Sequence, residues 1–308
     1  HKDGNGTIVI IDTYADSNPY DNTIVNLLTG TTVQEAIDDL ANFISPHDDG
    51  NILWVSSEGN NATAEKGDME KPYADPWAAR DAAVSGDLIY VLDGQWSFGA
   101  VGSGSDFEGT LDEINLFNGF GDGETIYYHF GNGVELTKIT NFADLAGGPQ
   151  GLFYTVNSLT ARVTGNLKVG FNSISTNNSN IIYCDNDDAN LYFEFDEMKY
   201  RTFGIAFYRA NSLTVKCNLV APYSNSVAFL SFRERGTITG STVNIYVNEY
   251  YGSSTDFSGL ISTRCCGSKV IMQDVNIYCE FNNVYKEDIV LSSTQDLAYV
   301  FGLVHDSE

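Results

Sequence analysis

Basic residues are scarce in this chain of 308: Lys and Arg together number 16 against 41 Asp and Glu, for a formal net charge of −25. That balance argues against nucleic acid or an anionic membrane as a partner, since both attract cationic surfaces. Long apolar runs are lacking too. None approaches the roughly 20 residues of a membrane-spanning helix, so no membrane insertion is expected. The five cysteines, Cys184, Cys217, Cys265, Cys266 and Cys279, are odd in number, and two of them are adjacent. Such spacing suits neither a disulfide framework nor a zinc site. Free thiols packed as small hydrophobes are expected, which implies synthesis in a reducing cytoplasm. No Gly-x-Ser-x-Gly, His-Glu-x-x-His or phosphate loop occurs, which removes support for esterase, zinc-protease and nucleotide-dependent chemistry. No cofactor and no metal are expected. The chain starts at His1 with neither an initiator Met nor a signal peptide, and is expected to be a piece of a longer polypeptide.

What is present is Gly (29), Tyr (18) and Phe (18), with only six Pro, the composition of a turn-rich, aromatic β protein. The stretch from Leu53 to Gly94 reads as strand, loop, helix, strand. Asp75 is placed to cap a helix whose first position is Pro76, with Trp77 to Val84 Ala-rich and Gly86 as its stop. Leu88 to Leu92 is an apolar strand closed by Asp93-Gly94. The Lys71-Pro72-Tyr73 loop, the Ala-rich helix and Gly86 to Val91 (GDLIYV) resemble the N-terminal cap of right-handed parallel β-helix proteins of the pectate-lyase-like superfamily, phage tailspikes and tail fibres among them. The resemblance covers about forty residues. It implies an all-β fold: a single-stranded solenoid with an N-terminal capping helix. It leaves function open, because that fold serves lyases, hydrolases, adhesins and passive fibres.

Three regions are expected: an N-terminal attachment or oligomerisation segment at 1–50, a β-helix cap at 51–99, and a β-helix body at 100–308 that continues past the last residue. In the first, Thr32 and Glu35 form a capping box, and Val33, Ile37, Leu40 and Ile44 follow heptad spacing up to Pro46. A helix of about twelve residues is too short to stand alone, so the seam packs on its own chain or on other copies. The wording Leu28 to Leu40 (LTGTTVQEAIDDL) resembles a connector of phage tail fibres and other trimeric virion appendages. That likeness implies a homotrimer, which the heptad alone does not select.

Further along, Glu124 to Leu136 reads as a β-hairpin around Gly131-Asn132-Gly133, Leu111 to Phe117 as a strand or short helix, and His129 as a packing or surface histidine. From residue 157 the sequence repeats. LKVGF (Leu167), LYFEF (Leu191), LTVKC (Leu213), VNIYV (Val243) and VNIYC (Val275) recur at intervals of 24, 22, 30 and 32. A second series, IIYC (Ile181), GIAF (Gly204), VAFLSF (Val227), GLIST (Gly259) and IVLSS (Ile289), runs between them. Short strands at such intervals are expected of a parallel β-helix. A β-sandwich is the competing fold.

Chemistry is sought on the outer surface. Glu194 and Asp196 share a strand face by period 2, which would set their carboxylates roughly 6 to 7 Å apart, compatible with glycoside hydrolysis. Among 41 acidic residues a pair at this spacing also arises by chance, and a solvated acidic face is the simpler expectation. Asp185, Asp187 and Asp188 are further acidic candidates, of which Asp185 and Asp187 match only the opening of a calcium loop, without its Gly and closing Glu. Arg233-Glu234-Arg235 is expected to make ion pairs between turns or subunits. Tyr246, Tyr250 and Tyr251 offer rings for sugar stacking, although packing is the commoner use. The resemblances together imply a structural and host-binding component of a phage tail, a trimer contacting other tail proteins and host-surface polysaccharide or receptor. Its aromatic wording is similar to tail proteins of Bacteroidetes phages, including the crAss-like group. Localisation would be the virion, after synthesis in the bacterial cytoplasm. A tailspike polysaccharide depolymerase is the alternative, and a bacterial surface adhesin a third.

Overall fold

The computed structural model of the chain describes residues 51–138, 151–171, 180–200, 203–222, 228–232, 237–252, 259–263, 271–286 and 301–303. The expected seam of Val33, Ile37, Leu40 and Ile44 lies outside the described residues, as do Arg233, Glu234, Arg235, Cys265, Cys266 and the strand at Ile289. In chain order come β1 (Ile52–Val55), α1 (Pro76–Ala82), β2 (Leu88–Val91), β3 (Gln95–Gly99), β4 (Phe107–Glu108), α2 (Leu111–Ile114), β5 (Thr125–Phe130) and β6 (Glu135–Lys138). There follow β7 (Gly151–Thr155), β8 (Thr160–Gly165), β9 (Lys168–Phe171), β10 (Asn180–Asp185), β11 (Asn190–Tyr200), β12 (Phe203–Arg209) and β13 (Ser212–Pro222). The last are β14 (Ala228–Phe232), β15 (Thr237–Thr239), β16 (Thr242–Gly252), β17 (Gly259–Thr263), β18 (Ile271–Gln273), β19 (Asn276–Lys286) and β20 (Phe301–Leu303).

The protein is mostly parallel β-sheet, and every strand pairing among the described residues is parallel. One sheet stacks β1, β2, β5, β8, β11, β13, β16 and β19 in that order, with β3, β6 and β9 forming a second arm that joins β11. Another stacks β7, β10, β12, β14, β17 and β20. Neither closes into a barrel. From β5 onward, consecutive strands of the first stack are separated in sequence by a strand of the second, so that part of the chain alternates between two stacks.

Side-chain alternation explains the core between them. In β11, Leu191, Phe193 and Phe195 are buried, and so are Met198 and Tyr200. The period of two therefore slips by one residue between Phe195 and Met198. The same slip separates Cys217 from Val220 in β13 and Val247 from Tyr250 in β16. It marks a bend that turns both arms of a long strand toward one interior. Phe193 lies 5.3 Å from Phe153 and 5.8 Å from Phe195, ring centre to ring centre. Each such fully buried side chain stabilises the fold by roughly 1.5–3 kcal/mol.

Three expectations are corrected by the pairing. Glu124 to Leu136 is no hairpin: β5 pairs with β2 and β8, and β6 with β3 and β9. Gly131 lies where an added Cβ would come within 2.4 Å of the Leu92 carbonyl oxygen, and Gly133 has φ +79°. The glycines thus form a bend stacked on the strand below instead of a reversal. LKVGF is the second arm of its strand row: Leu191 pairs with Ala161 of β8, whereas Lys168 of β9 pairs with Glu197. Val243 pairs with Ile277, not with Val275. A shift of two keeps the same residues facing inward, so the hydrophobic pattern tolerates either register. At the end of the second stack, the strand that pairs with β17 is β20.

Helix α1 starts as its sequence dictates, with the Asp75 carboxylate accepting from the Ala78 N–H at 2.7 Å and Pro76 in the first turn. It ends at Ala82, short of the expected Val84. The cause is Asp87, whose carboxylate accepts from the Val84 N–H at 2.8 Å and from Lys66 Nζ at 2.6 Å, drawing the chain out of the helix. Trp77 is wholly buried, donates Nε1–H to the Ile114 carbonyl at 2.8 Å and stacks on Phe107 at 4.4 Å. Arg80 is 3% exposed, and its guanidinium donates to the carbonyls of Glu113 and Asn115 at 2.6 and 2.7 Å. These contacts fix α1 to α2, which begins with a capping box between Thr110 and Glu113.

Candidate functional site

Parallel register places outward side chains in rows across the first sheet. One row runs Trp54, Tyr90, His129, Thr164 through β1, β2, β5 and β8. Its aromatic rings lie tilted to one another at 5.0 Å (Trp54 to Tyr90) and 4.6 Å (Tyr90 to His129), and His129 Nδ1 lies 3.0 Å from the Thr164 hydroxyl. Burial in this stack holds the His129 imidazole below its usual pKa, and the negative charge of Glu194 partly opposes that. The expectation of a packing histidine fits this environment.

Two further rows carry the charged groups. Arg162, Tyr192 and Thr214 are register partners on β8, β11 and β13, and Glu194, Lys216, Tyr246 and Glu280 are partners on β11, β13, β16 and β19. The Arg162 guanidinium carbon lies 4.6 Å from the centre of the Tyr192 ring, and Lys216 Nζ lies 5.6 Å from it. Tyr192 donates its hydroxyl hydrogen to Glu194 Oε1. Burial first, and then this bond, push the Tyr192 phenol above its usual pKa. Tyr246 and Tyr278 are 5.5 Å apart, and Tyr278 donates its hydroxyl hydrogen to Glu280 Oε2 at 2.8 Å.

Glu194 and Asp196 are on one strand, but different neighbours hold them. Asp196 sits at the bend, where Asn218 Nδ2 donates to its Oδ1 at 3.2 Å and Lys168 Nζ lies 3.6 Å from its Oδ2. Asp196 begins a ladder: Asn248 donates to Asn218 at 3.1 Å, and Asn282 to Asn248 at 3.5 Å. An earlier pair of the same kind joins Asn166 to Asn132 at 2.6 Å. Asp185 and Asp187 pair with Arg209 at 2.9 and 3.4 Å. Among the described residues no group of three or more His, Cys, Asp and Glu is arranged to hold a metal ion. Tyr250 is 3% exposed, with its hydroxyl 3.0 Å from that of Tyr200, so it packs in the core, whereas Tyr251 is 44% exposed.

Tyr192, Lys216 and Tyr278 were not singled out from sequence. Laying LYFEF over LTVKC sets Glu194 on Lys216 and would have exposed part of this cluster. Tyr278 needed the true register of β19. Burial raises the Cys184 and Cys217 thiols well above their usual pKa and Cys279 to about 11, the behaviour of packed and not of nucleophilic cysteines. Comparison with known proteins finds no matching protein-family model, no matching curated protein and no matching solved structure.

Proposed function

We propose that the chain is a structural and host-binding component of a phage tail, a tail fibre or tailspike whose body is a right-handed parallel β-helix. In this reading α1 caps the solenoid, the seam at Val33, Ile37, Leu40 and Ile44 holds three chains together, and the outer face meets host-surface polysaccharide or other tail proteins. A phage of gut Bacteroidetes, crAss-like or related, is the source that the wording of the sequence favours. The observation that carries the reading is the stacking of parallel strands in two sheets between which the chain alternates, with an asparagine ladder at a shared bend. Stacked repeats of this kind suit a rigid appendage, because each buries its apolar edge only against its neighbours.

The test is the solution mass of the purified chain, paired with a reducing-end assay on capsular polysaccharide from candidate hosts. A mass near three times 33.7 kDa, without sugar release, is the expected result. A monomer removes the trimeric seam. Sugar release that disappears in Glu194→Gln or Asp196→Asn establishes the depolymerase instead.

That second reading has one observation in its favour, the outward Glu194 carboxylate among aromatic side chains. Along its own row the next carboxylate is Glu280, three strand steps away. At about 4.8 Å per step the separation is roughly 14 Å, beyond the 5–10 Å of glycosidase acid pairs. A depolymerase would therefore need Asp196 released from Asn218 and Lys168, or an acid from a second chain.

A further inference from the structure

Among the described residues six cations lie within 4.0 Å of a carboxylate. Lys66 pairs with Asp87, Lys71 with Glu65, Lys168 with Asp196, Lys199 with Glu197, Arg80 with Asp81 and Arg209 with Asp185. Lys216 differs. It stands opposite Glu194 in register, yet among the described residues it makes no ion pair within 4.0 Å, and its ammonium leans over the Tyr192 ring instead. The Glu194 carboxylate is engaged by the Tyr192 hydroxyl. On the other side of Lys216, Tyr246 is its register partner, and Tyr278, which pairs with Asn244 and lies diagonally 5.5 Å from Tyr246, is 50% exposed. Glu280, the other acid of the patch, accepts from the Tyr278 hydroxyl.

We propose that Lys216, Tyr246 and Tyr278 form a binding site for a carboxylate-bearing oligosaccharide laid across β13, β16 and β19. Lys216 would take the sugar carboxylate with hydrogen bonds that its ammonium does not spend on a protein carboxylate. The two tyrosine rings would take the apolar faces of pyranose rings, as amphipathic aromatic side chains do at wet interfaces. Two strand steps span roughly 10 Å, enough for a disaccharide. A polyanion of high charge density, such as nucleic acid, is disfavoured by the net charge of −25. A glycan with one carboxylate per disaccharide meets that repulsion weakly, because charges more than about 8 Å apart are screened at physiological ionic strength.

The proposal rests on the host-binding reading and names its ligand class, but its test is separate, since it reads binding to the purified chain and not assembly or attachment. Hyaluronan and unsulfated chondroitin tetrasaccharides, each with one carboxylate per disaccharide, are titrated calorimetrically against the neutral chitotetraose and mannotetraose. Binding of at least one acidic oligosaccharide, weakened roughly tenfold or more by Lys216→Met, is expected. Tyr278→Ala, at a half-exposed position, should weaken it while far-UV circular dichroism stays unchanged. Lys168→Met, whose lysine lies at the bend, should bind as the parent does. Absence of binding by both acidic probes, equal binding of acidic and neutral probes, or binding indifferent to Lys216→Met overturns the site. A monomeric chain that still binds leaves the site standing and removes the trimer alone.

Discussion

Two glycines at neighbouring bends differ in what surrounds them, and the difference sets what an added methyl group costs. Gly133 has φ +79° with open space where a Cβ would go, so Gly133→Ala meets only the left-handed backbone penalty of about 1–2 kcal/mol. Gly165 has φ +98°, and its Cβ would lie 2.1 Å from the Phe130 carbonyl oxygen on the strand below. Gly165→Ala must therefore also shift a paired backbone, and its loss in urea unfolding should exceed that of Gly133→Ala by at least about 1 kcal/mol. Equal losses would mean that β5 and β8 are not packed as described. His129 supplies a pH test. Its folded pKa is depressed by burial, so below the unfolded value of about 6.5 the unfolded chain binds the proton more readily. Stability is then lost as pH falls from about 7 toward 5 and levels off below the folded pKa. His129→Gln should flatten that part of the melting-temperature profile, and an unchanged slope would assign it to other groups.

At the scale of the element, the asparagine ladder ties the bends of successive strands together. Asn218 donates to Asp196 and accepts from Asn248, on an exposed edge. Asn218→Leu loses both bonds and should cost about 1 kcal/mol. Asn218→Asp keeps the acceptor but sets a second carboxylate beside Asp196, so its loss should be larger at pH 7 and shrink below about pH 4 as the pair protonates. Denaturant midpoints at the two pH values separate the variants. This ladder was not read from the sequence, although the strands it joins were. Leu191, Leu213 and Val243 announce themselves because alternation with a period of two is set by burial on one face. The bend hides because a single outward residue, Asp196 or Asn218, interrupts that period without a Gly or Pro to mark it. Where three or four residues make the bend, as around Gly131 and Gly133, the signal is the same as that of a hairpin. Nothing local distinguishes the two; pairing with β2 and β8 decides it. The cluster around Lys216 was only partly legible for a related reason, since its members lie on four different strands and meet through register.

For the whole molecule, charge opposes the assembly proposed for it. Each chain carries −25, and three chains sharing a seam of four apolar positions bring those charges together. Heptad packing of Val33, Ile37, Leu40 and Ile44 would favour association, while self-repulsion acts over the Debye length, about 8 Å at 0.15 M salt and about 30 Å at 0.01 M. Lowering the salt thus lengthens the reach of repulsion without altering the apolar seam. A trimer held in this way should lose mass toward single chains when ionic strength falls from 0.15 M to 0.01 M, as read by light scattering at fixed protein concentration. Ile37→Asp, which buries a charge at the centre of the seam, should give single chains at both salt concentrations while the circular dichroism of the β-sheets persists. If Ile37→Asp keeps the parent's mass, the contact that holds the chains lies elsewhere, and the exposed strand β19, with Ile277 39% and Tyr278 50% accessible, becomes the surface to mutate next.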